Sequence, residues 1–350
     1  MVVRCSGRVS LLALAMVVSA APAIASRVHT GGENGAYHSV FCPLVLNRLD
    51  VLGSPHICST SAGTAANVSR VARNPDQFAF GQLDVFALES RRYGGARRFS
   101  IVRADDVREC VFAVTRNKAL TNYGQIAVNA DRLRFVLPSR RSGSARTFAF
   151  LQDLDPEGLG KASRVSFAPD TDDALREALS DESAVTFFVQ FPDPKNERFR
   201  MIRRLGGHII PVLDEAMLRQ RVAGRRVYFA QETELEQQRW LRVGKRVVTI
   251  CTPMVLFTGD SRRINVNDVR EVHRRLVNGL QRAPKAELIP RAGPFARLAV
   301  RTRELSQEAQ YYFFRLSNDA RERALPFIER AYRSARRSIN EMILKARREP

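Results

Sequence analysis

"RLRFVLPSRRSGSARTFAFLQDL", Arg132 to Leu154, passes from one structural period to another within a single quotation. The run Arg132 to Leu137 is short, apolar and strand-like, and Pro138 to Ser142 is a polar turn. From Gly143 to Leu154 the apolar residues recur at helical spacing. The alternation continues towards the C-terminus. "SRVSFA" reads as a strand ahead of "TDDALREAL", where Thr171 is placed to cap a short helix, and "AVTFFVQF" (Ala184 to Phe191) reads as a fully buried strand. "NERFRMIRRLGG" is a helix stopped by Gly206 and Gly207, and "HIIPVL" is the next strand. Strands and helices in strict alternation predict an α/β fold with a mostly parallel sheet covered on both faces.

An earlier unit has the same character. "SRVHTGG" leads into a helix from Val40 to Leu49 with Pro43 in its first turn, and "HICSTS" leads into a helix from Ala65 to Ala72. "FAFGQLDVFAL" reads as the next strand. Later come the strand "KRVVTICTPMVLFTG", a helix from about Val266 to Leu280, and a helical, Arg-rich stretch from Leu305 onward that contains Tyr311, Tyr312, Phe313 and Phe314. Two such units and a long return segment predict two lobes with a cleft, where ligands meet the carboxyl ends of strands and the starts of helices. The chain is expected to cross between lobes near Cys110 to Thr115 and to return between about Ala223 and Thr252. The expected boundaries are 26–112 with 225–304 for the first lobe, 113–224 for the second and 305–350 for a basic helical extension.

Residues 1–25 carry Arg4 and Arg8, an apolar run from Leu11 to Val18 and the small-residue triplet Ala23-Ile24-Ala25. That is the tripartite pattern of a cleavable export signal, too short in its apolar part to span a bilayer. A mature protein outside the cytoplasm, in the periplasm, is expected. Beyond Cys5 this leaves Cys42, Cys58, Cys110 and Cys251 in an oxidising compartment, and four cysteines allow three complete pairings. Neither CxxC nor clustered His/Cys spacing occurs, so no metal site is expected. The formal net charge is +20, or +18 without Arg4 and Arg8, and reads as a solvated Arg-rich surface. Export and the absence of a binding motif argue against nucleic acid.

Three strand-to-helix junctions carry the chemistry. "TGGENGAY" (Thr30 to Tyr37) lacks the lysine of a phosphate loop and the spacing of a dinucleotide fingerprint. Its glycines still let backbone N–H groups face a ligand at a helix start. "CSTSAGTAANVSRV" (Cys58 to Val71) crowds hydroxyls around Gly63, and "PSRRSGSART" (Pro138 to Thr147) does so around Gly143. Together they predict a socket for a small anion. No nucleophile elbow or paired acid and base is present, so an enzyme is not expected.

The order of "TGGENGAY", "STSAGTAANVSRV", "FAFGQLDVFAL" and "SGSART" resembles the TAXI family of solute receptors, the extracytoplasmic components associated with TRAP transporters. The likeness runs from about Val28 to Phe257, and its first third is the specific part. "STSAGTAAN" carries alanine where the family pattern has a second glycine, and a lysine-rich segment usual before the last turn is replaced by "NKALTNYGQIAVNADRLR". The resemblance implies the two-lobed type II periplasmic-binding-protein fold. It implies ligand contacts from Gly31, Gly32, Asn34, Tyr37, Ser61, Gly63, Thr64, Gln82 and Asp84 in the first lobe, and from Ser142, Gly143, Ser144 and Arg146 in the second. It also implies a helix-to-strand disulfide, Cys42–Cys58, with Cys110 and Cys251 expected as buried thiols near the crossover. The function implied is capture of a small anionic metabolite, a carboxylate or amino acid, by a monomer without cofactor, for delivery to a TRAP-type membrane transporter. The Arg-rich end motivates an alternative, a periplasmic sensing or adaptor subunit that signals to a membrane partner.

Overall fold

The computed structural model describes residues 26–104, 107–236, 245–290, 303–304 and 315. The expected leader lies outside the described residues, as does the basic extension apart from Arg315. Among the described residues no helix is long and apolar enough to cross a membrane.

The first half opens with β1 (Ser26–His29), a five-residue π-helical turn (Tyr37–Phe41) and α1 (Cys42–Val51). Next come β2 (His56–Ser59), α2 (Thr64–Arg73), β3 (Phe78–Gln82), α3 (Leu83–Ser90) and β4 (Phe99–Arg103). The second half begins with β5 (Arg108–Thr115), α4 (Tyr123–Val128), β6 (Arg134–Leu137) and α5 (Gly143–Leu154). It continues through β7 (Arg164–Phe167), α6 (Thr171–Ala178), β8 (Ala184–Gln190), α7 (Glu197–Arg204), β9 (His208–Ile210) and α8 (Glu215–Arg219). A small ribbon, β10 (Arg221–Val222) with β11 (Arg225–Arg226), precedes β12 (Phe229–Glu234) and the long β13 (Arg246–Gly259). The last elements are α9 (Asn267–Arg282), α10 (Lys285–Leu288) and β14 (Arg303–Glu304).

The strands repeat one order twice. In the first half β1 lies between β2 and β3, both parallel to it, and the end of β13 runs antiparallel between β3 and β4. In the second half β6 lies between β7 and β8, both parallel, and β5 runs antiparallel between β8 and β9. The fourth strand of the first half, β13, also pairs with β5 and β12 of the second. The chain is therefore a mixed α/β architecture of two halves with one strand order. The halves do not separate into two hydrogen-bonded sheets, because β13 is long enough to serve both. Its first part pairs with β12 and β5 and its last part with β3 and β4, so 12 strands lie on one continuous pairing path.

Each half is cored by aromatic residues on both faces of its strands. Phe78, Phe80 and Leu256 pack under α1 and α9, with Val45, Leu49, Leu276 and Leu280, while Phe86 and Phe257 pack with Val68 and Val71 of α2. In the second half Phe135 and Phe187 meet Phe148 of α5, and Phe112 and Phe188 meet Phe199 of α7. Each fully buried phenylalanine contributes about 1.5–3 kcal/mol relative to an exposed one.

Four expectations are corrected. Among the described strands the sheet is mostly antiparallel rather than mostly parallel, because β5, β12 and β13 run against all their neighbours. "FAFGQLDVFAL" is a strand only as far as Gln82, and from Leu83 it is helix, so Asp84 stands on α3. The cap of α6 is Asp170 rather than Thr171, its carboxylate accepting from the amides of Asp172 and Asp173 at 2.8 and 2.9 Å. Cys110 and Cys251 are buried as expected but are joined in a disulfide, because β5 and β13 place them directly opposite each other. Cys42 and Cys58 form the second disulfide, with Cα atoms 6.1 Å apart, the pairing the resemblance implies.

Candidate ligand-binding site

The ends of β1, β2 and β3 are tied together by side chains of the two glycine-bearing turns. The Ser61 amide donates to Gly31 O at 3.0 Å and its hydroxyl to Thr30 O at 2.7 Å, while Gly63 N donates back to Ser61 Oγ at 3.0 Å. Asn67, fully buried on α2, donates from Nδ2 to Thr30 O at 2.6 Å and Phe80 O at 2.8 Å, bridging β1 to β3. Thr64 Oγ1 accepts from Gln82 N at 3.1 Å. The strand can come this close only because residue 81 is glycine: a Cβ there would stand 2.5 Å from Thr64 Cγ2. Gly63, at φ 108°, is the cap residue of α2 and supplies no side-chain bond to its first turn. The N–H groups of that turn remain directed at whatever lies beyond the helix.

Gly32 and Asn34 lie in the exposed tip of the first turn, which Gly35 closes by donating to Gly32 O at 2.9 Å. Nothing lies within 4 Å of a Cβ built on Gly31 or Gly32, so packing does not dictate glycine at either position. Tyr37 stands on the π-helical turn, stacked on Phe80 at 5.7 Å with Phe191 against its edge, and its hydroxyl donates to Glu109 Oε2 at 2.7 Å. Burial, then the charge of Glu109, holds the Tyr37 phenol well above its ordinary pKa of 10. Glu109 is half-buried on β5; burial pushes its carboxyl up to about 7 despite the Tyr37 donor, and Asp84 adds to the shift.

The second half meets the first along one stripe of α5. Ser142 caps that helix, accepting from Ala145 N at 3.1 Å. Gly143 abuts the Gln82 side chain so closely that a Cβ there would overlap Oε1. One turn on, Thr147 donates to Asp84 Oδ2 at 2.6 Å, which also accepts from Tyr228 at 3.0 Å, and Arg146 pairs with Glu89 of α3. Helical periodicity puts Gly143, Arg146 and Thr147 on the same face, so that Gly143 meets the end of β3 while Arg146 and Thr147 meet α3. Asp84 is fully buried, and burial raises its pKa.

The structure thus gathers Gly31, Tyr37, Ser61, Gly63, Thr64, Gln82, Ser142 and Gly143 around one junction. It assigns other expected residues elsewhere. The Arg146 guanidinium is committed to Glu89, Asp84 is a buried tie between the halves, and Ser144 Oγ accepts from Val189 N at 2.9 Å. Sequence reasoning missed Glu109 and Tyr228. An acid directly ahead of the apolar run "CVFAVT", at the expected crossover, was the one available signal for Glu109. Among the described residues no group of three His, Cys, Asp or Glu side chains is arranged to hold a metal ion.

No family model matches the chain, and no curated protein matches it. Solved structures do. One titled a periplasmic transporter is 14% identical over 88% of this chain and 97% of its own, with a TM-score of 0.41. MatC from Rhodopseudomonas palustris, solved with bound malate, is 15% identical over 87% of this chain and 98% of its own, with a TM-score of 0.42. PhnD1 from Prochlorococcus marinus, solved with methylphosphonate, is 12% identical over 84% of this chain and 98% of its own, with a TM-score of 0.41. These are among the proteins this chain is similar to, and the ligands named are theirs.

Proposed function

We propose that the chain is a periplasmic solute-binding receptor. Its two lobes, divided at β5 and β13, close on a small carboxylate-bearing metabolite and present it to a membrane transporter of the TRAP type, acting as a monomer with no covalent step. The observation that carries this reading is the meeting of Gln82 at the end of β3 with Gly143 at the start of α5, across two connecting strands. Backbone donors at the start of α2, the Thr64 hydroxyl and the Tyr37 ring supply a polar, one-sided lining of the kind that orients a small anion. The anchoring falls to these donors, since Arg146 is engaged by Glu89. The two disulfides accord with an oxidising compartment. Ligand binding shifts an open–closed equilibrium by its differential affinity for the closed form.

The test is a thermal-shift screen of small carboxylates and amino acids on the mature chain. A ligand at one hundred times its Kd stabilises the folded state by about 2.7 kcal/mol. A saturable shift accompanied by a smaller radius of gyration in X-ray scattering supports the receptor. Flat responses across the screen defeat it.

A further inference from the structure

We propose that the pole of the first half, opposite the junction, docks on an anionic phospholipid bilayer, its arginines meeting lipid phosphates while three exposed valines of α9 enter the headgroup layer. This holds whether or not the chain binds a solute.

β3 runs from Phe78, level with Thr258 of β13, to Gln82, level with Met254. The end marked by Thr258 is therefore the one away from the junction. Gly259 N donates there to Pro75 O, in the loop that follows α2, at 3.1 Å, and Asp260 N donates to Arg98 O at 3.0 Å. Arg98 ends the single helical turn Ala96–Arg98, and Arg262 and Arg263 lie in a similar turn, Ser261–Arg263. Backbone bonding thus brings Arg97 and Arg98 beside Arg262 and Arg263, although they are far apart in sequence. Arg262 is held by Asp260, with Nη2 2.6 Å from Oδ2. Among the described residues Arg97, Arg98 and Arg263 form no ion pair. Arg263 donates from Nη2 to Ala72 O at 3.3 Å, and its Nη1 is buried without a partner. Burial, then the charge of Arg98, lowers the Arg263 pKa against the pull of Asp260. The other acids of this pole are Asp76, after α2, and Asp268, in the first turn of α9, and neither pairs with these arginines. Like charges held together without counter-ions repel, and an external anion relieves the repulsion.

α9 begins close behind this turn. Val266, Val269 and Val272 are 59%, 41% and 38% exposed, three of the seven large apolar residues exposed among the described residues. Recurrence at every third position keeps them along one side of the first turns of the helix. Val266 occupies the N-cap, where a polar side chain is usual, and makes no capping bond, so the helix itself does not ask for valine there. Arg270 folds back to donate to Ile264 O at 2.8 Å, which holds the start of α9 against the arginine-bearing turn. Apolar side chains flanked by guanidinium groups match the boundary of an anionic bilayer, with phosphates outside and acyl chains within. A merely acidic protein face would satisfy the arginines and leave the valines in water.

The experiment is co-sedimentation of the mature chain with vesicles of phosphatidylcholine alone, or with phosphatidylglycerol as about a third of the lipid. Binding is expected only to the anionic vesicles, and should weaken as salt rises from about 0.05 to 0.5 M. Arg97→Gln with Arg98→Gln should lower the partition coefficient about tenfold or more, since each arginine near a charged surface is worth about fivefold. Val266→Ser, Val269→Ser and Val272→Ser together should lower it about fivefold or more, while serine at the N-cap favours the helix. Arg200→Gln with Arg204→Gln on α7 removes the same charge from the second half and should leave binding within about twofold. That pair separates the pole from the surplus charge of the chain as a whole. Thermal midpoints show which variants are folded; if the Arg97, Arg98 pair is not, the valine variant and the lipid comparison still decide. Binding that ignores phosphatidylglycerol, equal losses at the pole and on α7, or no loss in folded pole variants overturns the proposal. Absence of binding to either vesicle also overturns it and leaves the pole to an acidic protein partner. None of these outcomes bears on the solute screen, whose junction lies at the other end of β3.

Discussion

Arg146→Ala separates two roles for one guanidinium. Had Arg146 been the anchor of an anion, its loss would weaken binding and leave the fold alone. The structure instead pairs it with Glu89, whose side chain is 5% exposed against 21% for Arg146. Stranding a buried carboxylate with no counter-charge costs about 3–5 kcal/mol. Arg92 still stands 3.5 Å from Glu89, but at 66% exposure it acts as a surface partner that returns at most about 1 kcal/mol. The net loss is therefore about 2–4 kcal/mol. With a urea slope near 3 kcal/mol/M for a chain of this size, that moves the unfolding midpoint down by about 1 M. Adding Glu89→Gln should recover more than half of it, since the neutral amide needs no partner charge. Urea unfolding followed by circular dichroism measures both variants. A loss under about 0.5 kcal/mol in Arg146→Ala, or no recovery in the double variant, would refute the pairing as a structural tie.

Four further outcomes are expected. Peptide mapping without reductant should find Cys42 joined to Cys58 and Cys110 to Cys251, and replacing the first pair by serine should cost about 3 kcal/mol for its short loop. His273 is held down to about 4 by burial, between Thr258 and Ser261, so it stays neutral in the fold while the unfolded chain protonates near 6.5. Its contribution is complete above pH 6.5 and is lost as pH falls to 4, by at most about 3 kcal/mol, and an NMR titration showing an imidazole that protonates near 6.5 in the native protein would contradict this. Gly32→Val should leave the thermal midpoint unchanged because its Cβ meets nothing within 4 Å. Gly143→Val should force the Gln82 side chain out of its place against residue 143 and lower stability by about 1–3 kcal/mol through overpacking, read by the same unfolding assay.

The fold was legible wherever local chemistry and burial pattern agreed. Gly143 to Leu154 forms α5 at the expected bounds because Ser142 caps it and an extended β6 precedes it. "FAFGQLDVFAL" misled because it is buried throughout: a strand covered on both faces and a helix enclosed on all sides have the same unbroken apolar signature. The Cys110–Cys251 bond was illegible for another reason. Its partners are separated by 141 residues, and only the register of β5 on β13 sets them opposite. In the site, the glycine-bearing turns were visible as junctions. What lay hidden was the direction of the side chains one turn further on, where α5 spends Arg146 and Thr147 on α3.

The same Cys110–Cys251 bond has a mechanical consequence. It closes the base of the segment between its two cysteines, so everything from β5 to β13 is a covalent loop hanging from the line of tension between the chain ends. Pulled at its ends, the oxidised protein should release the contour of its flanking segments only, less the stretch closed by Cys42–Cys58. The enclosed 141-residue separation, about 480 Å of extended chain at 3.4 Å per residue, should appear in the force trace only after reduction. A single proteolytic cut inside that loop should likewise leave the two fragments joined.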